Sequence, residues 1–244
     1  MIFTKKGSLF KKIAICILAC LVLILGSFLI WAKSTYKSFG PLNASAATVS
    51  VDRDEYIVYK PNNGIEPTKG FIFYPGAKVE PDAYGELCSK IAEQGYLVVI
   101  APMTLDLAIL SPNKAEDIIN KYDNIETWAI GGHSLGGVMA ADYALKDNRI
   151  SGVVFYASYP NGDKMENSDL KVLSIYGSND GVAKLDKVKN AALPEKSSIL
   201  EIEGGNHAGF GTYGYQKGDN QADITDENQI NEAARLTTDF LSDL

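Results

Sequence analysis

Ile130-Gly131-Gly132-His133-Ser134-Leu135-Gly136-Gly137 sets a serine between glycines two positions away on either side, the spacing G-x-S-x-G. The residues before it, Glu126-Thr127-Trp128-Ala129-Ile130, read as a short buried strand. Those after it, Val138-Met139-Ala140-Ala141-Asp142-Tyr143-Ala144-Leu145, read as a helix. A strand, a sharp turn and a helix in that order hold the turn serine in a strained backbone conformation with its hydroxyl exposed at the end of a sheet. Strand and helix close on each other only if the flanking positions are nearly free of side chains, which Gly132 and Gly136 provide. The helix that begins there aims its free N–H groups at the point where an anion would develop. In a chain with 22 glycines such a pattern can arise by chance, so its surroundings must carry the assignment.

Those surroundings are regular. Glu55-Tyr56-Ile57-Val58-Tyr59 alternates like a strand, and Gly70-Phe71-Ile72-Phe73-Tyr74 is a nearly continuous apolar run. Residues 97–100, 153–156, 172–176 and 199–202 are short and apolar in the same way. Between strands, Tyr84, Leu87, Cys88 and Ile91 fall on one helical face that Gly95 ends. Asn113 and Glu116 are spaced as a capping box for a helix through Ile118, Ile119 and Tyr122. Asp226 and Gln229 are spaced likewise for a last helix through Ile230, Ala233, Thr237, Phe240 and Leu241. Apolar strands alternating with amphipathic helices predict an α/β fold, a mostly parallel central sheet with helices on both faces. Ligands of such sheets sit outside the carboxyl ends of the strands.

A serine hydroxyl needs a base, and the base needs an orienting acid. The chain has two histidines. His133 adjoins Ser134 and should point away from it into packing. His207, in Gly204-Gly205-Asn206-His207-Ala208-Gly209, follows the last strand and is the remaining base candidate. Asp180, in Tyr176-Gly177-Ser178-Asn179-Asp180-Gly181, directly follows the strand 172–176 and fits the acid; Asp163, Asp169 and Asp186 do not directly follow strands. An oxyanion would take the N–H of Leu135 and a second donor from the loop after residues 71–74, Ala77 first and Lys78 as the alternative. Phe210, Tyr213 and Tyr215 either wall the site or lie in a solvated loop. Met103, Leu105, Leu107, Ile109 and Leu110 either line an acyl pocket or belong to the core.

Four motifs in register, Tyr74-Pro75-Gly76-Ala77-Lys78-Val79, Gly131 to Gly137, Tyr176 to Gly181 and Gly204 to Ala208, resemble those of the small bacterial α/β-hydrolase-fold serine hydrolases similar to dienelactone hydrolases. The resemblance runs from about Lys69 to the C-terminus. It implies Ser134 as nucleophile, Asp180 as acid and His207 as base, in the chain order of α/β-hydrolases. Dienelactone hydrolases carry cysteine at the elbow, so the resemblance implies fold and reaction type and not their lactone substrate. A lid domain in this fold commonly follows the strand 153–156, but residues 157–171 are too few to form one, so an open or shallow site is expected. The expected activity is hydrolysis of a carboxylic ester or related acyl bond through an acyl-enzyme. The alternative is a non-catalytic protein of the same fold that binds a ligand or partner at the cell surface.

Residues 13–31 carry no charge and at about 1.5 Å each span roughly the 30 Å of a bilayer core. Lys5, Lys6, Lys11 and Lys12 precede the run and Lys33 and Lys37 follow it, which favours a cytoplasmic N-terminus (1–12), an anchor (13–31), a linker (32–50) and an extracytoplasmic body (51–244). Two processing motifs compete with a retained anchor: Ala44-Ser45-Ala46, far beyond the apolar run, and Ile17-Leu18-Ala19-Cys20, buried inside it. Residues 1–40 hold six lysines and no acid, leaving 17 basic against 30 acidic residues in the remainder, a net −13. A body so acidic is not expected to bind nucleic acid through phosphates. Cys16 and Cys20 lie in the apolar run, and Cys88 reads as core. No cofactor is expected, since the Gly131–Gly137 run lacks the lysine of a phosphate loop, and two histidines without a Cys cluster do not make the usual zinc site.

Overall fold

A computed structural model describes residues 3–39 and 48–244. The Ala44-Ser45-Ala46 motif lies outside the described residues. The chain divides into two compact units at Thr35/Tyr36. The first is helix α1, Phe3–Lys33, whose segment Leu9–Lys33 is long and apolar enough to cross a membrane; a signal sequence meets the same criterion. The Ile17–Cys20 motif sits within this helix, with Cys20 exposed on it.

The second unit is built on one eight-stranded sheet in the order β1-β2-β4-β3-β5-β6-β7-β8. The strands are β1 Val49–Arg53, β2 Ile57–Pro61, β3 Lys69–Tyr74, β4 Leu97–Ile100, β5 Thr127–His133, β6 Ile150–Tyr156, β7 Lys171–Gly177 and β8 Ser198–Ile202. β1 and β2 pair antiparallel, as do β2 and β4; every other neighbouring pair is parallel. The six parallel strands β3 to β8 therefore end at one edge.

Alternate residues of a strand point to opposite faces, so a strand covered on both sides must be apolar throughout. In β3, Phe71 and Phe73 enter one core with Leu87, Cys88 and Ile91 of α2 (Gly85–Ala92) and with Ile230, Ala233 and Leu241 of α6 (Asp226–Ser242). Ile72 and Tyr74 enter the other, with Ala115, Ile118 and Ile119 of α3 (Lys114–Lys121) and Met139, Ala140 and Ala141 of α4 (Leu135–Ala144). A short helix α5, Leu185–Lys189, lies between β7 and β8. Cys88 is fully buried, as its helical position implies.

Neither expected capping box forms. Asn113 occupies the cap of α3 but its side chain makes no capping bond. The cap of α6 is Thr225, one residue earlier than Asp226, and its hydroxyl accepts the N–H of Asn228. Threonine and aspartate are similar caps, so composition alone does not set the register. Gln229, freed from that role, is drawn into the site.

The segment expected to be linker is partly structured. Residues 36–39 hydrogen-bond to the body, and β1 begins at Val49.

Candidate active site

β5 runs straight into Ser134, whose backbone lies at φ 52° and ψ −123°, a conformation that side-chain-bearing residues avoid. Both ends of the residue are fastened. Its N–H donates to Tyr156 O at 3.0 Å, and its carbonyl accepts the Gly137 N–H at 3.1 Å and the Ser158 hydroxyl at 2.7 Å. A Cβ on Gly132 would lie 2.6 Å from the Gly136 carbonyl carbon and from Tyr74 O, and one on Gly136 would lie 2.2 Å from Tyr74 O. The turn is therefore as tight as its spacing predicts, and it leaves Ser134 half-buried at the carboxyl edge. Leu135 is the first helical residue, so its N–H has no acceptor within the helix.

His207 lies beyond the end of β8 and Asp180 beyond the end of β7, at the same edge. The His207 Nδ1 is 2.8 Å from Asp180 Oδ2, and both side chains are fully enclosed. The second carboxylate oxygen, Oδ1, accepts the N–H groups of Val182 (2.8 Å) and Ala183 (2.7 Å), which fixes the orientation of the acid. A carboxylate on Nδ1 places the imidazole proton there and leaves Nε2 as the free acceptor. Nε2 is buried and has no hydrogen-bond partner among the described residues, so the structure brings acid and imidazole together without a bond to the Ser134 hydroxyl. Asp163, Asp169 and Asp186 have no part in this pair.

The loop after β3 presents one N–H. Gly76 N–H donates to the Tyr84 hydroxyl (3.1 Å), Lys78 N–H to Asp106 O (2.7 Å), Val79 N–H to Gly76 O (3.2 Å) and Glu80 N–H to Tyr36 O (3.0 Å). The Ala77 N–H alone has no acceptor among the described residues. The alternative donor, Lys78 N–H, is thus already engaged.

His133 does more than pack. It is buried, its Nδ1 lies 2.9 Å from the Tyr84 hydroxyl and its Nε2 lies 3.0 Å from His207 O. The order of donors follows from the fixed ends. The Tyr84 oxygen accepts the Gly76 N–H, so its own proton goes to Nδ1, and Nε2–H of a neutral His133 donates to the carbonyl of His207. Burial first, then the neighbouring His207, pushes the pKa of His133 well below its ordinary value. An unfolded chain binds this proton near pH 6.5 and the folded chain resists it, so stability rises with pH up to about 6.5 and falls below it. Stability should decline on acidification from pH 7 to 5, by at most about 1.4 kcal/mol per pH unit from this group, and the melting temperature should fall with it. In His133→Asn the decline should be shallower; calorimetry at stepped pH checks it.

Three supporting residues carried no sequence signal for this role. Asp219 accepts N–H groups from both loops that carry the His–Asp pair, Gly181 (Oδ1, 3.0 Å) and Ala208 (Oδ2, 2.9 Å). Gln229, fully buried, grips the residue before His207 twice, accepting the Asn206 N–H at 3.0 Å and donating to Asn206 O at 2.7 Å. Tyr84 joins the Gly76 loop to His133, as above. Of the candidate wall, Phe210 and Tyr213 are buried around His133, with ring centroids 5.9 and 6.3 Å from it, while Tyr215 is exposed. Met103 belongs to the second core, Leu107 is buried, Leu105 is half-buried, and Ile109 and Leu110 are exposed. The loop 157–170 carries no helix or strand, so no lid domain is inserted there.

The model of the alpha/beta hydrolase family matches residues 70–231. The chain belongs to that family. Solved structures of hydrolases share the fold. Est1E from Butyrivibrio proteoclasticus superposes with a TM-score of 0.57 at 14% identity, covering 80% of this chain and 99% of that one. A predicted CIB-like hydrolase from Thermoplasma acidophilum gives 0.56 at 17% identity, covering 80% and 99%. The esterase domain of a Rhodothermus marinus protein gives 0.59 at 12% identity, covering 79% and 95%. A search of curated proteins finds no match. Family membership and the buried His–Asp pair support hydrolase activity for this alpha/beta hydrolase chain.

Proposed function

We propose that this alpha/beta hydrolase is a serine hydrolase that cleaves a carboxylic ester or a related acyl bond of a small molecule through an acyl-enzyme. The observation that carries the reading is a buried imidazole whose Nδ1 is held by Asp180 and whose Nε2 has no partner among the described residues, on the same sheet edge as a strained, half-exposed serine. In unliganded hydrolases the bond between hydroxyl and imidazole is often long and closes only with substrate. His207 Nε2 takes the Ser134 proton as Oγ attacks the acyl carbon, and Asp180 stabilises the imidazolium without accepting its proton. The N–H groups of Leu135 and Ala77 receive the oxyanion, each worth about 3 to 4 kcal/mol of transition-state stabilisation. The imidazolium then protonates the leaving alcohol, and water, deprotonated by the same Nε2, releases the acid.

The N-terminal helix is proposed to remain as a single-pass anchor, with its lysine-rich end in the cytoplasm and the hydrolase body outside, by the lysine asymmetry.

Incubating the full-length protein with a fluorophosphonate probe and mapping the adduct tests the chemistry. Modification at Ser134, blocked by prior denaturation, is expected. A folded protein that takes no probe sinks the serine-hydrolase reading and leaves the binding-protein alternative.

A further inference from the structure

Residues 36–39 cross the catalytic end of the body as a short strap. Tyr36 bridges in parallel to Val79; its N–H donates to Lys78 O at 2.6 Å and its carbonyl accepts the Glu80 N–H at 3.0 Å. Glu80 reaches back, accepting the Ser38 N–H on Oε2 at 3.1 Å and pairing with the Lys37 ammonium. On its other side the strap holds the loop that follows His207. Phe39 N–H donates to Thr212 O at 2.7 Å, the Tyr36 hydroxyl accepts the Lys217 N–H at 3.3 Å, and the rings of Tyr36 and Tyr213 lie 5.7 Å apart. Both loops it joins belong to the site: one presents the Ala77 N–H, the other carries His207.

Lys78 lies between these contacts at φ 62°, a left-handed conformation that lysine does not choose by itself. Such a conformation persists where neighbouring bonds over-determine it. Here the bonds are the Lys78 N–H to Asp106 O and the Tyr36 N–H to Lys78 O, one on each side of the strained residue. If Lys78 relaxed to negative φ, the chain before it would turn relative to the chain after it, and the Ala77 N–H would swing with it.

We infer that residues 36–39 are a positioning strap, which holds Lys78 left-handed, aims the Ala77 N–H at the oxyanion and fixes the loop after His207. The inference rests on the function proposed above. It also makes the segment ahead of Ala44-Ser45-Ala46 a working part of the hydrolase, since scission after Ala46 would leave the strap held to those loops by its non-covalent contacts alone.

The test uses the full-length chain in detergent. Tyr36→Pro deletes the N–H given to Lys78, while Tyr36→Phe keeps both backbone bonds and the ring. Lys78→Gly reaches positive φ without help. Tyr36→Pro should slow Ser134 acylation, read as kcat on an activated acyl ester and as the rate of fluorophosphonate labelling, on the order of 10²-fold with KM little changed. Tyr36→Phe should recover most of that rate, and so should Lys78→Gly added to Tyr36→Pro. A strap that merely stabilised the fold would lower the melting temperature without rescue by Lys78→Gly. A folded Tyr36→Pro with the wild-type acylation rate overturns the inference.

If Tyr36→Pro fails to fold, Glu80→Ala decides on the same readout, a loss upholding the strap and an unchanged rate overturning it. If the wild type shows no labelling and no turnover at Ser134, the serine-hydrolase reading fails, and hydrogen exchange judges the strap instead. Faster exchange over 76–80 and 211–217 in the variants upholds it; unchanged exchange overturns it.

Discussion

Ser134→Ala should lower kcat on an acyl ester by about 10⁶-fold, with KM changed little, because in the proposed mechanism the lost hydroxyl is the atom that forms the acyl-enzyme. In that mechanism the imidazole and acid act only through the hydroxyl, so adding His207→Ala should cost almost nothing further. A small residual rate over water should persist from the Leu135 and Ala77 donors. The same position predicts an opposite effect on stability. At φ 52° a side chain is strained whatever its chemistry, and the strain is of order 1 to 3 kcal/mol. Ser134→Gly should therefore be inactive yet more stable than the wild type by about 1 kcal/mol, whereas Ser134→Ala keeps the strain and gains nothing. Steady-state rates together with denaturant midpoints for the two variants check both halves. Turnover by Ser134→Ala within tenfold of wild type would place the nucleophile elsewhere.

The residues that carry the proposed chemistry were legible because each is tied to a local pattern. Ser134 is marked by its flanking glycines, and Asp180 and His207 are marked by loops that immediately follow apolar strands. The sheet was legible for the same reason, since the central parts of β3 to β7 are buried on both faces and read as nearly continuous apolar runs. The support of those residues was not legible. Asp219 meets Gly181 and Ala208 through backbone N–H groups, and a backbone donor leaves no trace in residue identity. Gln229 sits where a capping box would put it, and only the observed Thr225 cap shows that it is free to hold Asn206. Tyr84 occupies a helical core position, so its hydroxyl contacts to Gly76 and His133 were hidden behind its ring. Residues 36–39 resembled a tether because the bonds that bridge them to 78–80 and 212 run largely through main-chain groups, and Tyr-Lys-Ser-Phe has no strand periodicity to announce them.

The elbow's second glycine should be the least replaceable residue of the site for stability. A methyl group on Gly136 would stand 2.2 Å from Tyr74 O and 2.4 Å from Pro75 O, and both obstacles are main chain at the end of β3. Neither can yield as a flexible side chain would. β3 is paired on both sides, to β4 and β5, and the loop that leaves it presents the Ala77 N–H. Relief therefore requires α4 to move away from the sheet, opening the packing of Met139, Ala140 and Ala141 against Ile72 and Ile130. Gly136→Ala should cost about 3 kcal/mol or more, a large part of the roughly 5 to 15 kcal/mol that holds a domain folded. A helical glycine on an open surface would behave oppositely, gaining about 1 kcal/mol from the same change. Activity should fall with stability, because the helix that moves carries the Leu135 N–H and the loop it presses on carries Ala77. Urea denaturation of Gly136→Ala beside Ser134→Ala measures the difference, and an alanine at 136 that unfolds at the wild-type midpoint would contradict the tight elbow.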